Sequence, residues 1–205
     1  MAIVALASYA CQDEAGAWQG DAIFEEVTEG RQHQTDLQRK KDPKAAAYSA
    51  CTDLFSWCAE ALGCTDEQIV NRNDDGGRRP WVTGGGPTFI QNAPGYVYAS
   101  RAVRAGQLPG VGAALVLLDP WHVAILAELD LERGVCVVYE YGQFGTAPHT
   151  QLGAACGQKH THAAKIMGTQ LVIKGRVVGG WLPVEALPLS KPALMPDDFA
   201  GTLAQ

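Results

Sequence analysis

In the stretch Tyr48-Ser49-Ala50-Cys51-Thr52-Asp53-Leu54-Phe55-Ser56-Trp57-Cys58-Ala59-Glu60-Ala61-Leu62-Gly63, apolar residues fall at 51, 54, 55, 58, 61 and 62. That spacing lines one face of a helix. Ser49 reads as the N-cap and Gly63 as the C-cap. Cys51 then occupies the first turn, where the positive end of the helix dipole, helped by a neighbouring imidazolium, favours a nucleophilic sulfur.

Downstream of this helix the pattern changes from helical to extended. A short helix is expected over 100–106. Ala113-Ala114-Leu115-Val116-Leu117-Leu118 reads as a buried strand, Asp119-Pro120 breaks it, and Trp121-His122-Val123-Ala124-Ile125-Leu126-Ala127 reads as the next. A turn over 130–134 leads to a third strand, Val135 to Tyr141. Residues 170–174 and 176–178 pair as a hairpin, and Trp181-Leu182-Pro183-Val184 adds a last extended piece. Helices early and strands late predict an α+β fold, in which an antiparallel sheet packs against the helix that carries Cys51.

The remaining segments are read from composition. Residues 1–7 are apolar and read as an early strand or buried extension. The polar stretch up to Lys44 reads as solvated helix or loop, and 188–205 as a loosely packed tail. Residues 71–87 are rich in turn formers and read as a long binding loop; Gly84-Gly85-Gly86 lacks the Lys-Ser/Thr of a phosphate cradle.

The chain has 205 residues, 47% of them hydrophobic, enough for one domain over 1–205 with an N-terminal extension at 1–44. A net charge of −6 argues against nucleic acid or an anionic membrane as partner. No apolar run reaches the roughly 18 residues of a membrane span. The N-terminus has no basic residue ahead of its apolar run, so no signal peptide is expected. Any export would then fall to a dedicated secretion system or to lysis. Six cysteines without a dense spacing pattern read as reduced thiols.

Thiol hydrolases need a nucleophilic sulfur, an imidazole within hydrogen-bond reach, and a third group to orient the ring. Cys58, two turns along the same helix, and Cys136, inside a strand-like run, read as core; Cys11, Cys64 and Cys156 carry no signal. His122 lies 71 positions beyond Cys51 at the start of a strand, where its ring can project into a cleft. His33 lies in the charged segment, and His149, His160 and His162 in a region that reads as loop. The third group is Glu140 or Gln143, and strand parity separates them. A hairpin loop of three or five residues sets Glu140 diagonal to His122, whereas a loop of four sets Gln143 opposite it.

With Tyr48-Ser49-Ala50-Cys51-Thr52-Asp53-Leu54-Phe55, Trp121-His122-Val123-Ala124-Ile125-Leu126 and Val138-Tyr139-Glu140-Tyr141 in that order, the chain resembles papain-like cysteine amidases and peptidases of the CHAP and NlpC type. The likeness spans roughly 48–143. It departs at Ala50, where the family usually has Asp, and at Gly112-Ala113, where a Gly-Asp pair is common. The resemblance implies a papain-like fold without cofactor or metal, in which Cys51 attacks an amide carbonyl, His122 carries the proton, and Glu140 or Gln143 orients the ring. It implies an oxyanion hole from the Cys51 backbone N–H and the Tyr48 hydroxyl, and a peptide or peptidoglycan substrate. Apart from the resemblance, Arg78 and Arg79 of the long loop read as candidates to pair with a substrate carboxylate, and Trp81 and Trp121 as further substrate-binding candidates. A secreted antibacterial effector, with its immunity protein or secretion partner, or a phage lysin would be the setting. Three rivals stand beside it: an acyltransferase or glutamine deamidase toxin using the same Cys and His, a zinc site at Cys156, His160 and His162, and an inactive binding module.

Overall fold

All four side chains of Ala114–Leu117 are buried, which a strand achieves only with a core against each of its faces. The computed structural model of the chain, which describes residues 2–12, 26–28, 51–66, 69–70, 88–118, 121–141 and 157–189, supplies both cores. Its elements run α1 (Ala2–Ala10), β1 (Cys11–Gln12), α2 (Asp53–Ala61), α3 (Thr88–Asn92), β2 (Val97–Tyr98), α4 (Ala99–Arg104), β3 (Ala114–Leu117), β4 (His122–Asp130), β5 (Val135–Glu140), β6 (Gly157–Met167), β7 (Gln170–Ile173) and β8 (Arg176–Leu182), then a 3-10 turn, Val184–Ala186.

Strands β3 to β8 pair antiparallel in sequence order, and β8 returns to pair with β3, so the sheet closes into a six-stranded barrel. The short strands β1 and β2 flank it on β6 and β8. One apolar cluster draws on every barrel strand: Leu115, Leu117, Ala124, Leu126, Cys136, Val138, Ala164, Leu171, Ile173, Val178 and Trp181, with Ala99 and Ala102 of α4. That is the barrel interior. The alternate residues Ala114, Val116, Val123, Ile125, Tyr139 and Leu182 pack outward against α1 and α2, through Ile3, Leu6, Ala7, Leu54, Phe55 and Cys58. The period of two along each strand thus serves two cores.

The papain-like α+β expectation, a sheet packed against an N-terminal helix carrying the cysteine, is therefore corrected to a closed barrel with a few short helices. The cause is β6. Its alternation of Lys, His and Thr reads as loop, yet these 11 residues bridge β5 and β7 and close the ring. A second correction concerns the N-terminus, where 2–10 form a helix rather than a strand; its buried Ile3, Leu6, Ala7 and Ala10 recur at helical spacing. That helix lies within the stretch read as an extension and belongs to the outer core. Cys51 also sits outside α2, in the turn just before the N-cap Thr52.

One local device ends α2 and another seats α1 on the barrel. At the end of α2 the Gly63 N–H donates to the Glu60 carbonyl (2.8 Å) and the Cys64 N–H to the Ala59 carbonyl (3.0 Å), with Gly63 at φ 95°. This is a Schellman cap, which needs a left-handed residue at that position. On the other side the Tyr141 hydroxyl donates to the Ala10 carbonyl at 2.7 Å, tying the end of α1 to the end of β5. The Tyr141 ring lies over Gly157, where a Cβ would come within 1.9 Å of ring carbon Cε2. Gly157→Ala is accordingly expected to destabilise by about 1–3 kcal/mol, the usual range for overpacking. Urea unfolding checks this, with a shifted midpoint and an unchanged slope as the expected result.

Candidate active site

The β4–β5 hairpin sets the site through its register. Asp130 pairs with Val135, so the loop is the four residues 131–134, and the Arg133 N–H donates to Asp130 Oδ1 at 2.8 Å. Taken alone, a loop of that length would set Gln143 opposite His122. The register then slips by one between Leu126 and Glu128: Asp130, Leu129 and Glu128 face Val135, Cys136 and Val137, whereas Leu126 and Ile125 face Val138 and Tyr139. Ala127 is the extra residue of a β-bulge. Beyond it the parity is reversed, and Glu140 shares a face with His122.

That face points into the barrel. His122 pairs with Leu117 across β3, and Leu117 belongs to the interior cluster, as do Ala124 and Leu126 two and four residues on. Both His122 and Glu140 are 3% exposed. His122 Nε2–H donates to Glu140 Oε2 at 2.6 Å, a short charge-assisted contact. The other carboxylate oxygen, Oε1, accepts from His162 Nε2–H at 3.0 Å, and His160 Nε2 stands 3.8 Å from it. The His160 and His162 rings stack with centroids 5.5 Å apart. A buried carboxylate costs several kcal/mol unless its oxygens are satisfied. Here both are.

Cys51 reaches the same imidazole. It is half-buried in the turn before α2, packed against the outer core, and within hydrogen-bonding reach of the His122 ring. With Nε2 engaged by Glu140, proton exchange with a thiol would fall to the ring's other nitrogen, Nδ1. Burial pulls the His122 pKa down, but the hydrogen bonds to Cys51 and Glu140, and the attraction of both, carry it above its ordinary 6.5. For Glu140, burial acts upward and is outweighed by the hydrogen bonds from His122 and His162, so its pKa lies well below the ordinary 4.5. His160 is shifted down, chiefly by burial and against the pull of Glu140.

Of the residues picked from the sequence, Cys51, His122 and Glu140 come together. Trp121 is 46% exposed beside His122. Gln143, Tyr48, Arg78, Arg79 and Trp81 lie outside the described residues, as does Cys156 of the zinc reading. His160 and His162 turn toward Glu140, and among the described residues no cluster of His, Cys, Asp and Glu is arranged to hold a metal. Cys58 and Cys136 are core, as read; burial above all pushes the Cys136 thiol up to about 12, with Glu140 and Glu128 adding to it. His162 is the site residue that sequence reasoning missed. Its signal was the spacing of His160, His162 and Ala164 on one face of β6, facing Val138 and Cys136 of β5. Compared with known proteins, the chain matches no family model, no curated protein and no solved structure.

The two shifts make the His122–Glu140 pair stabilising within a defined pH window. Glu140, with its pKa lowered on folding, contributes fully above its unfolded value near 4.5 and loses the contribution as pH falls. His122, with its pKa raised, contributes fully below its unfolded value near 6.5 and loses it as pH rises through the folded value. Glu140→Gln is therefore expected to cost the most, about 1–3 kcal/mol, between these two values, and less on either side. Chemical denaturation of both proteins from pH 3 to 9 checks this; a pH-independent difference contradicts it.

Proposed function

We propose that this protein is a cysteine-dependent hydrolase of amide or peptide bonds, with cell-wall peptides as the substrate class. The observation that carries the reading is one buried imidazole placed between the Cys51 sulfur and a carboxylate 2.6 Å away. Sulfur, imidazole and carboxylate in that relation are what nucleophilic acyl transfer requires. The order of Cys, His and carboxylate along the chain, which resembles the CHAP and NlpC enzymes, supports the wall substrate.

In the proposed reaction Cys51 Sγ attacks the amide carbonyl carbon while its proton passes to His122 Nδ1. The tetrahedral oxyanion is met by the Cys51 backbone N–H beside the start of α2, where the helix dipole favours negative charge. The C–N bond breaks as His122 returns the proton to the leaving amine. His122 then takes a proton from water, which attacks the thioester, releases the carboxylic acid and restores the thiol. Glu140 keeps the ring in one orientation and supports its charged form throughout. Exposed Trp121 offers a stacking surface beside His122.

Incubating the protein with isolated wall sacculi and analysing released muropeptides by mass spectrometry tests the reading. Wild type is expected to release fragments with new amine and carboxyl ends. Cys51→Ala is expected to lose at least about 10³-fold in rate and His122→Gln at least about 10²-fold. Cys51→Ala should melt within a few degrees of the parent, since the sulfur is only half-buried. Release that survives Cys51→Ala overturns the thiol mechanism. Cys51-dependent turnover of other amides, with sacculi untouched, overturns the wall substrate alone.

A further inference from the structure

The chemistry of the proposed hydrolase needs three residues, yet the carboxylate at its end is held by a fourth. Glu140 has two oxygens and the barrel interior gives each its own imidazole: Oε2 takes His122 at 2.6 Å and Oε1 takes His162 at 3.0 Å. The two contacts hold the carboxylate from both ends. Without the second, the carboxylate can rotate about its terminal bond, a broad and soft torsion, and the geometry at His122 loosens with it.

His162 is itself fixed for the purpose. It comes from β6, whose residues 158–163 pair with the whole of β5, with Cys136 opposite His162 and Gln158 opposite Glu140. Its side chain is 10% exposed, against 30% for His160, and the two rings stack nearly parallel at 14°. His160, at 3.8 Å from Oε1, lies beyond hydrogen-bond distance and braces the ring that does bond.

We infer that His162 is a positioning residue: by donating Nε2–H to Glu140 Oε1 it aims Oε2 at His122 and so keeps the His122 ring turned toward Cys51. The inference rests on the thiol-hydrolase reading, but it concerns Cys51 nucleophilicity and is measurable without a substrate. His162 touches neither the sulfur nor the bond to be cleaved, and acts through Glu140.

The test is the rate at which iodoacetamide labels Cys51 at pH 7, followed by peptide mapping, in wild type, His162→Ala and His162→Gln. Thermal melts establish that each variant is folded. His162→Ala is expected to slow labelling on the order of tenfold, comparable to removing an outer partner of a working histidine. His162→Gln restores an N–H donor and is expected to recover the rate to within about threefold. Where wall material is cleaved, kcat is expected to follow the same order with KM little changed. A folded His162→Ala that labels at the wild-type rate overturns the inference, as does a folded His162→Gln no faster than His162→Ala. If wild type cleaves no amide, the hydrolase reading fails, while the labelling comparison still decides the role of His162.

Discussion

A carboxylate buried in a barrel with an imidazole on each oxygen is the constraint around which this molecule is arranged. Glu140 is 3% exposed, and an ionised group at such a depth persists only if each oxygen keeps a donor. His122 and His162 supply them from the strands on either side of β5. Three neighbouring strands are thereby tied by polar contacts at one place, in an interior otherwise filled by apolar side chains. An interior that specific is costly to maintain, and the cost is intelligible if the charge on Glu140 has work to do at His122.

The two-core architecture brings the sulfur to that charge. The barrel interior supplies His122 and Glu140, while the outer core holds α1 and α2 against the opposite faces of β3, β4 and β5. Cys51 belongs to the outer layer and His122 to the inner, so they meet only where a strand begins and its first side chain lies at the rim of the barrel. The Schellman cap at Gly63 ends α2, and the Tyr141 contact to Ala10 fastens α1 to the barrel.

Much of this was legible in the chain itself. The runs 113–118, 121–127 and 135–141 read as strands from their apolar residues, and they lie on β3, β4 and β5, while the helix that begins just after Cys51 shows its apolar face and its glycine stop. Choosing Cys51 and His122, with Glu140 or Gln143 as the third group, required only that a sulfur near a helix start, a strand-opening histidine and a polar residue in or just after an apolar strand each be unusual. The closure of the barrel was hidden because β6 buries only Gly157 and Ala164 and presents Lys, His and Thr between them, so it lacks the apolar alternation of a strand. Its inner face at one end is lined by His160 and by His162, which satisfies Glu140 Oε1, so hydrophobic alternation fails where the site begins. The bulge at Ala127 was hidden too: alanine carries no mark of irregularity, yet that one extra residue decides between Glu140 and Gln143. The helix at 2–10 misled because a run of apolar residues serves a buried strand and a buried helix equally well.

The central claim is that Cys51, His122 and Glu140 form one electrostatic unit, in which the sulfur and the carboxylate both contact the imidazole and favour its charged form. Nitrogen-15 NMR titration of the histidine rings addresses it directly, with His122 assigned by the signal lost in His122→Gln. In wild type the His122 ring is predicted to titrate above 6.5, and in Cys51→Ala its midpoint is predicted to fall, because a hydrogen-bond partner that raises it is gone. A His122 ring that titrates alike with and without the sulfur would mean that the two do not interact, and the account would be wrong.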